Sequence, residues 1–189
     1  MRFRPVDDPV GPVLIDGEIH RDGRGAFREA YHEGKYREGG LANRFVQVNV
    51  SRSDRSVLRG LHFQHPQAQA KLVWVARGEV FDVAVDIRRG SPSFGRWFGT
   101  RLSEENGRQL YVPPDFAHGF LVLSEEADVV YHCSELYHPE SEGILRWDDP
   151  ALRIAWPEVE PAPRLSERDA AAPGLAELES AGRLPAYVP

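Results

Sequence analysis

The chain contains one cysteine, Cys133, and one methionine in 189 residues. A single thiol cannot form an intrachain disulfide, and it leaves a thiolate zinc site without its ligands. No apolar run reaches membrane-spanning length and no stretch is patterned as a signal peptide, so a soluble, cytoplasmic protein with no membrane partner is expected. An excess of positive charge is missing as well. Lys and Arg number 23 against 29 Asp and Glu, a formal net charge of −6. Nucleic acid is therefore not an expected partner, and any anion must be met by a local cluster of Arg and Lys. Internal repeats, low-complexity segments and long helical periods before the tail are absent too. What is present is globular: 41% hydrophobic and 28% charged residues, enough for one well-buried domain.

The richest stretch runs from Val57 to Arg88. It contains three strand-like runs, Val57 to Phe63, Lys71 to Ala76 and Val80 to Ile87, separated by a Pro-containing loop and an Arg77-Gly78 turn. In the third run Phe81, Val83, Val85 and Ile87 share one face and Val80, Asp82, Ala84 and Asp86 the other. Two carboxylates on so apolar a strand suggest that their face lines a wet pocket. Upstream, Val13 to Ile15 centres a strand lead-in. Phe45 to Ser51 alternates, with Val46, Val48 and Val50 on one face and Gln47, Asn49 and Ser51 on the other. That amide face suits either a ligand or plain solvent. Downstream, Arg96 to Leu102 and Gln109 to Val112 read as strands. Ala117 to Leu123 and Val129 to Ser134 read as a hairpin pair, and Ile144 to Trp147 and Leu152 to Trp156 as short late strands. A short helix fits Leu175 to Ser180. Many short strands between Gly/Pro turns indicate an all-β sandwich or barrel. We expect a single domain over 1–189, with a core from about 20 to 157 and a tail, 158–189, packing on it.

Several side chains are chemically suggestive, each with an ordinary alternative. His62 has Arg59 and Lys71 nearby in sequence, yet a lone strand histidine is commonly just hydrogen-bonded. Strict alternation also puts Arg59 and His62 on opposite faces, unless Gly60 hosts a bulge. Tyr131 is equally a packed aromatic, and Asp169 a turn or helix-cap residue. Barrels that hold a metal use an H-x-H pair. Here His62 and His65 are separated by two residues and point to opposite faces, and His118 stands alone, so no metal site is expected. His32, His132 and His138 are expected at the surface.

Beyond these patterns, the chain resembles the dTDP-4-dehydrorhamnose 3,5-epimerase family. The matching segments are DGRGAFREAY, FVQVNVSRS, VLRGLHFQ, the run from Gln69 to Trp97, LSEENGRQLYVPPDFAHGF, the Tyr131 strand, SEGILRWDDP and LSERDAAAP, in the family's order from about Arg24 to Pro173. The resemblance implies a cupin-type jelly-roll barrel with short peripheral helices, a homodimer, no cofactor and a dTDP-4-keto-6-deoxysugar substrate. It further implies His62 as general base paired with Asp169, Tyr131 as general acid, and Lys71 beside the C4 keto oxygen. Asp82 and His118 are implied in the pocket. Arg24, Glu29, Gln47, Asn49, Arg59, Tyr137, Glu142 and Arg168 are implied substrate contacts, with Arg59 and Arg168 on the diphosphate. Arg168 stands where the family commonly has lysine. The loop before Lys71 carries Pro66, which bears on how Lys71 is placed. Alternatives of other kinds are a mono-epimerase acting at C3 or C5 only, a catalytically silent sugar-nucleotide-binding cupin, and a metal-dependent cupin enzyme.

Overall fold

The computed structural model describes residues 1–6 and 11–188; positions 7–10 of the expected lead-in lie outside the described residues. Two antiparallel sheets face one another as a jelly roll. The larger contains β1 (Arg2–Pro5), β2 (Val13–Asp16), β5 (Gln47–Asp54), β7 (Lys71–Arg77), β10 (Arg108–Val112) and β12 (Glu126–Cys133), in the order β1-β2-β10-β7-β12-β5. The smaller contains β6 (Leu58–Gln64), β8 (Glu79–Asp86), β9 (Trp97–Ser103), β11 (Phe116–Val122) and β13 (Glu142–Ile144), in the order β13-β6-β11-β8-β9. A separate hairpin pairs β3 (His20–Asp22) with β4 (Gly25–Phe27). The short helices are α1 (Glu33–Glu38), α2 (Glu167–Ala170) and α3 (Leu175–Ser180). Among the described residues no helix is long and apolar enough to cross a membrane.

Three apolar layers explain the strand patterns. Val73, Val75, Val80, Ala84, Leu110, Phe116, Phe120 and Val129 fill the space between the sheets. Val83, Val85, Ile87 and Leu61 face outward from the smaller sheet, where Leu145, Leu152, Leu175, Leu178 and Leu184 cover them. Ile15, Leu72 and Tyr111 face outward from the larger sheet under Tyr36 of α1 and Leu41. A strand buried on both sides loses simple alternation, which is why β8 is apolar nearly throughout.

Several expectations change. β1 and β2 belong to the larger sheet, so the core begins before residue 20. The pair expected as a hairpin separates: β11 joins β6 and β8, whereas β12 joins β5 and β7. The chain crosses between sheets at the Ser124-Glu125 turn, as a jelly roll requires. Neither late strand forms as expected: β13 (Glu142–Ile144) meets the expected Ile144 to Trp147 run only at Ile144, and 152–156 is irregular. The apolar side chains of 152–156 serve the outer layer, and the Trp156 indole donates to the Trp147 carbonyl at 2.9 Å. The carboxylate face of β8 is not a wet wall. Asp82 is 0% and Asp86 1% exposed, among Val80 and Ala84 of the core.

Candidate active site

At one mouth of the barrel the inner faces of both sheets turn polar. From the larger sheet, β5 contributes Gln47 and Asn49, β7 contributes Lys71, and β12 contributes Tyr131 and Cys133. Their registers place Gln47, Cys133 and Lys71 in one row and Asn49 beside Tyr131 in the next. The smaller sheet contributes His62 of β6 directly across from His118 of β11. These residues enclose a cavity of about 190 Å³, lined by Gln47, Asn49, Ser51, Arg59, His62, Gln69, Lys71, His118, Tyr131, Tyr137 and Glu142. The amide face of β5 therefore points inward, and its valine face is the exposed one.

Arg59 and His62 reach the same cavity through a bulge. His118 pairs with His62 but Phe120 pairs with Arg59, so β6 carries one extra residue between those positions. Gly60, at φ +117°, sits at the irregularity. A Cβ there would lie 2.6 Å from the Gly119 Cα and 2.7 Å from the His118 carbonyl oxygen, so glycine is required.

His62 Nε2 and Asp169 Oδ1 are 2.7 Å apart although 107 positions separate them. The carboxylate is held by α2, where Ser166 caps the helix and accepts from the Asp169 amide at 3.1 Å. Burial works to raise the Asp169 carboxyl, but its bonds with His62, Ser166 and the Gly60 amide outweigh that and hold it below its ordinary value. Lys71 is 9% exposed, with Nζ 3.5 Å from the His62 carbonyl oxygen. Burial lowers its pKa, against the opposing influence of Cys133, Asp82 and Glu142. Burial likewise raises the Tyr131 phenol. The loop before Lys71, including Pro66, is tied down. Gln64 donates to the Gln67 carbonyl at 2.6 Å, Gln69 donates to the Glu135 carbonyl at 2.7 Å, and Ser134 Oγ accepts from the Ala70 amide at 2.8 Å.

The remaining expected site residues divide. Asp82 does not line the cavity. It lies behind His118, whose Nε2 is 3.0 Å from both carboxylate oxygens. Glu142 sits at the rim between Arg168, at 2.6 Å, and the Tyr137 hydroxyl, at 3.1 Å. Arg24 and Glu29 are not brought to the cavity. Arg24 is on the β3–β4 turn, 90% exposed and paired with Asp22, and Glu29 pairs with Lys35. Asp86 is engaged elsewhere, by Arg88, Ser91 and Ser93. It borders a separate cavity with Phe98 and Phe116. His65 leaves His62 and faces Asp115. His132, expected at the surface, is half-buried against Tyr31 and Phe45, and burial lowers its pKa.

Sequence reasoning assigned no role to Ser51, Gln69, Ser166 and Arg164, which border this cavity or its neighbour. Ser51 was legible as the third member of the Gln47–Asn49 face. Ser166 was legible from the Ser-x-x-Asp capping pattern. Gln69 and Arg164 lie in irregular segments, where no periodicity points to them.

Comparison with known proteins agrees with this architecture. Residues 10–177 match the family model described as dTDP-4-dehydrorhamnose 3,5-epimerase. The dTDP-4-dehydrorhamnose 3,5-epimerase of Methanothermobacter thermautotrophicus is 54% identical over 147 residues, covering 78% of this chain and 80% of that one. Among solved structures, a dTDP-6-deoxy-D-glucose-3,5-epimerase from Legionella pneumophila Philadelphia 1, in complex with dTDP-4-keto-L-rhamnose, superimposes with a TM-score of 0.93. It is 49% identical, with 100% of this chain and 99% of that chain covered. A 3′-monoepimerase from Streptomyces bikiniensis, in complex with dTDP-quinovose, gives a TM-score of 0.90 at 38% identity, covering 97% and 92%. A match this long and this close, across sequence and backbone alike, means that the chain belongs to the dTDP-4-dehydrorhamnose 3,5-epimerase family.

Proposed function

We propose that the protein inverts C3 and C5 of dTDP-4-dehydro-6-deoxy-D-glucose to give dTDP-4-dehydro-L-rhamnose. The observation that carries this reading is the 2.7 Å His62–Asp169 contact opening onto a cavity that also holds Lys71 and Tyr131.

Hydrogens at C3 and C5 are both α to the 4-keto group and weakly acidic. A neutral imidazole, with a reference pKa of about 6.5, is a suitable base near neutral pH. A carboxylate beside Nε2 demands a donor there, so Nε2 carries the proton and Nδ1 offers the lone pair. Asp169 then stabilises the imidazolium that forms. Proton removal leaves an enolate with charge on O4, and Lys71 places a cation in a dry wall where that charge develops. Inversion needs a proton from the other face. Tyr131 projects from the opposite sheet to His62, and burial keeps its phenol protonated. His118, backed by Asp82, completes the wall next to His62. Arg59 and Arg168 stand at the rim, where the diphosphate leaves the sugar pocket.

The same reading includes a homodimer. Val46, just before the edge strand β5, and Val48 and Val50 within it form an exposed apolar stripe, and Phe27 is exposed on the β3–β4 hairpin. An uncovered edge of this kind is an association surface. In a dimer the hairpin of one copy, carrying Arg24, reaches a substrate held by the other, which accounts for its distance from the cavity of its own chain. Val48→Glu is expected to yield monomers in sedimentation; an unchanged dimer would place the interface elsewhere.

The test of the reaction is proton NMR of dTDP-4-dehydro-6-deoxyglucose with the protein in D2O. Deuterium should enter at both C3 and C5, and the product should carry both inversions. Exchange and inversion at one carbon alone would identify a mono-epimerase. No exchange with folded protein would identify a binding module.

A further inference from the structure

Outside the catalytic pair lies a second cavity of about 370 Å³. Its walls include Arg59, Arg164, Arg168, Ser166 and Glu142. It shares Arg59, His62 and Glu142 with the sugar cavity, so the two meet at the rim. A ligand with its sugar against His62 and a charged group attached has room to extend along this vestibule.

The charges in the vestibule are unbalanced. Arg168 is paired with Glu142 at 2.6 Å. Arg59 is exposed, and its guanidinium donates to the Ser53 hydroxyl at 2.9 Å and the Arg52 carbonyl at 3.4 Å, neither of them an anion. Arg164 meets the Asp54 carboxylate at 3.4 Å and the Arg55 carbonyl at 3.2 Å, both through Nη2. Its side chain is 54% exposed and that of Asp54 73%, so the ion pair is solvated and weak. Three guanidinium groups thus gather around the outer side of the dyad, against two lining carboxylates, Glu142 paired with Arg168 and Asp169 turned to His62.

The backbone of Arg164 is fixed independently of its side chain. Its amide donates to the Ser56 carbonyl at 2.8 Å, and its carbonyl accepts from the Leu58 amide at 2.9 Å. That parallel bridge with Val57 docks the segment on the start of β6, the strand that carries Arg59 and His62. Two residues on, Ser166 begins the helix that presents Arg168 and Asp169. One six-residue segment therefore supplies an outer cation, an inner cation and the carboxylate of the dyad. The fold needs the backbone of residue 164, but these bonds ask nothing of a guanidinium.

We propose that Arg164 is a further binding residue, which contacts the diphosphate of the nucleotide-sugar on the side away from the sugar pocket. This rests on the epimerase reading above. A planar guanidinium anchored at its Cα and weakly paired at its tip exchanges a solvated carboxylate for a phosphate, an exchange that charge-assisted, bidentate geometry favours. It acts on bound substrate and transition state alike, because it lies beyond the reacting carbons. Its loss therefore raises KM and leaves kcat alone.

The experiment compares wild type with Arg164→Gln and Arg164→Lys. It measures kcat and KM for the 4-keto sugar nucleotide, inhibition by dTDP and by inorganic pyrophosphate, and thermal melting. Arg164→Gln should raise KM and both inhibition constants by about three- to tenfold, the discounted value of a half-exposed charged hydrogen bond. Melting and kcat should not move, and Arg164→Lys should recover part of the loss. Equal pyrophosphate inhibition of wild type and Arg164→Gln would overturn the proposal, as would a fall in kcat accompanied by a lower melting temperature, which marks a structural role. A wild type that neither inverts the sugar nor binds dTDP would reject the epimerase reading itself. An active wild type with an unaltered Gln variant would reject only the role of Arg164.

Discussion

Arg59 and His62 are three residues apart on one strand and open onto the same cavity, because β6 holds one more residue than its partner between the two pairing positions. The bulge depends on Gly60. We expect Gly60→Ala to destabilise the protein by roughly 2–4 kcal/mol, since a Cβ meets backbone at 2.6 Å and the positive φ is strained for alanine. Denaturant unfolding measures this. A loss below about 0.5 kcal/mol, within the range of ordinary surface substitutions, would show that the strand can re-register without cost.

Asp169→Asn retains the size of the side chain and removes the charge that orients His62. The kcat should drop about 10²–10⁴-fold, as for loss of an oriented general base. Titration with dTDP should show nearly unchanged affinity. Full activity would mean that the contact with His62 is only a helix-cap coincidence.

Tyr131→Phe separates proton removal from proton return. Because His62 stands on the other sheet, the variant should still exchange substrate hydrogen with D2O, while inversion slows by about 10²–10⁴-fold. Product analysis by NMR distinguishes the two events. If exchange and inversion fall together, Tyr131 is not the acid.

Lys71 and Tyr131 make opposite contributions at alkaline pH. Burial lowers the lysine and raises the tyrosine. An ordinary lysine loses its proton at about 10.4; as pH rises Lys71 therefore loses its own sooner, while the phenol keeps its proton beyond the usual tyrosine value of about 10. The alkaline decline of kcat should thus begin below the ordinary lysine range and shift upward in Lys71→Arg, whose guanidinium stays charged. A decline unmoved by that substitution would assign the limb to another group.

Asp86 concerns stability, not catalysis. Burial alone would raise its carboxyl, but Arg88, Ser93 and Ser91 hold it below the ordinary carboxylate value. With its folded pKa depressed, its contribution is complete above the unfolded value of about 3.9 and is lost as pH falls through the folded pKa. Asp86→Asn removes the buried charge that Arg88 meets at 2.7 Å, so it should cost about 3 kcal/mol at neutral pH and flatten the acid side of the stability curve. Urea midpoints from pH 7 to pH 3 test this, and parallel curves for the two proteins would refute it.

Much of the site was legible from local pattern. Alternation placed Gln47, Asn49 and Ser51 on one face, marked β8 as a strand and set Lys71 at the head of another. Composition excluded an intrachain disulfide and an excess of basic charge. Such features follow from periodicity and residue chemistry, which act over a few neighbours. Pattern failed where burial is decided from two sides. It could not tell that the valines of β5 face outward and the amides inward, because both faces of that strand fit a solvent boundary. It read Asp82 and Asp86 as one wet wall, whereas one backs His118 and the other is caged by Arg88. It paired β11 with β12 because they are adjacent in the chain, although a jelly roll sends them to opposite sheets.

Local residues therefore suffice for the class of fold, most of the strands and, through the family's motifs, the side chains expected to act. Which of those side chains meet is settled by long-range packing. The His62–Asp169 contact spans 107 positions, and it exists because the 164–169 segment docks on the start of β6 by backbone bonds that no local pattern encodes. The same docking assembles Arg164 with Arg59 and Arg168, and the same topology leaves Arg24 and Glu29 away from the cavity. Contacts of this kind depend on chain crossings and sheet register, which are fixed by burial summed over the whole domain, not by the residues that make the contact.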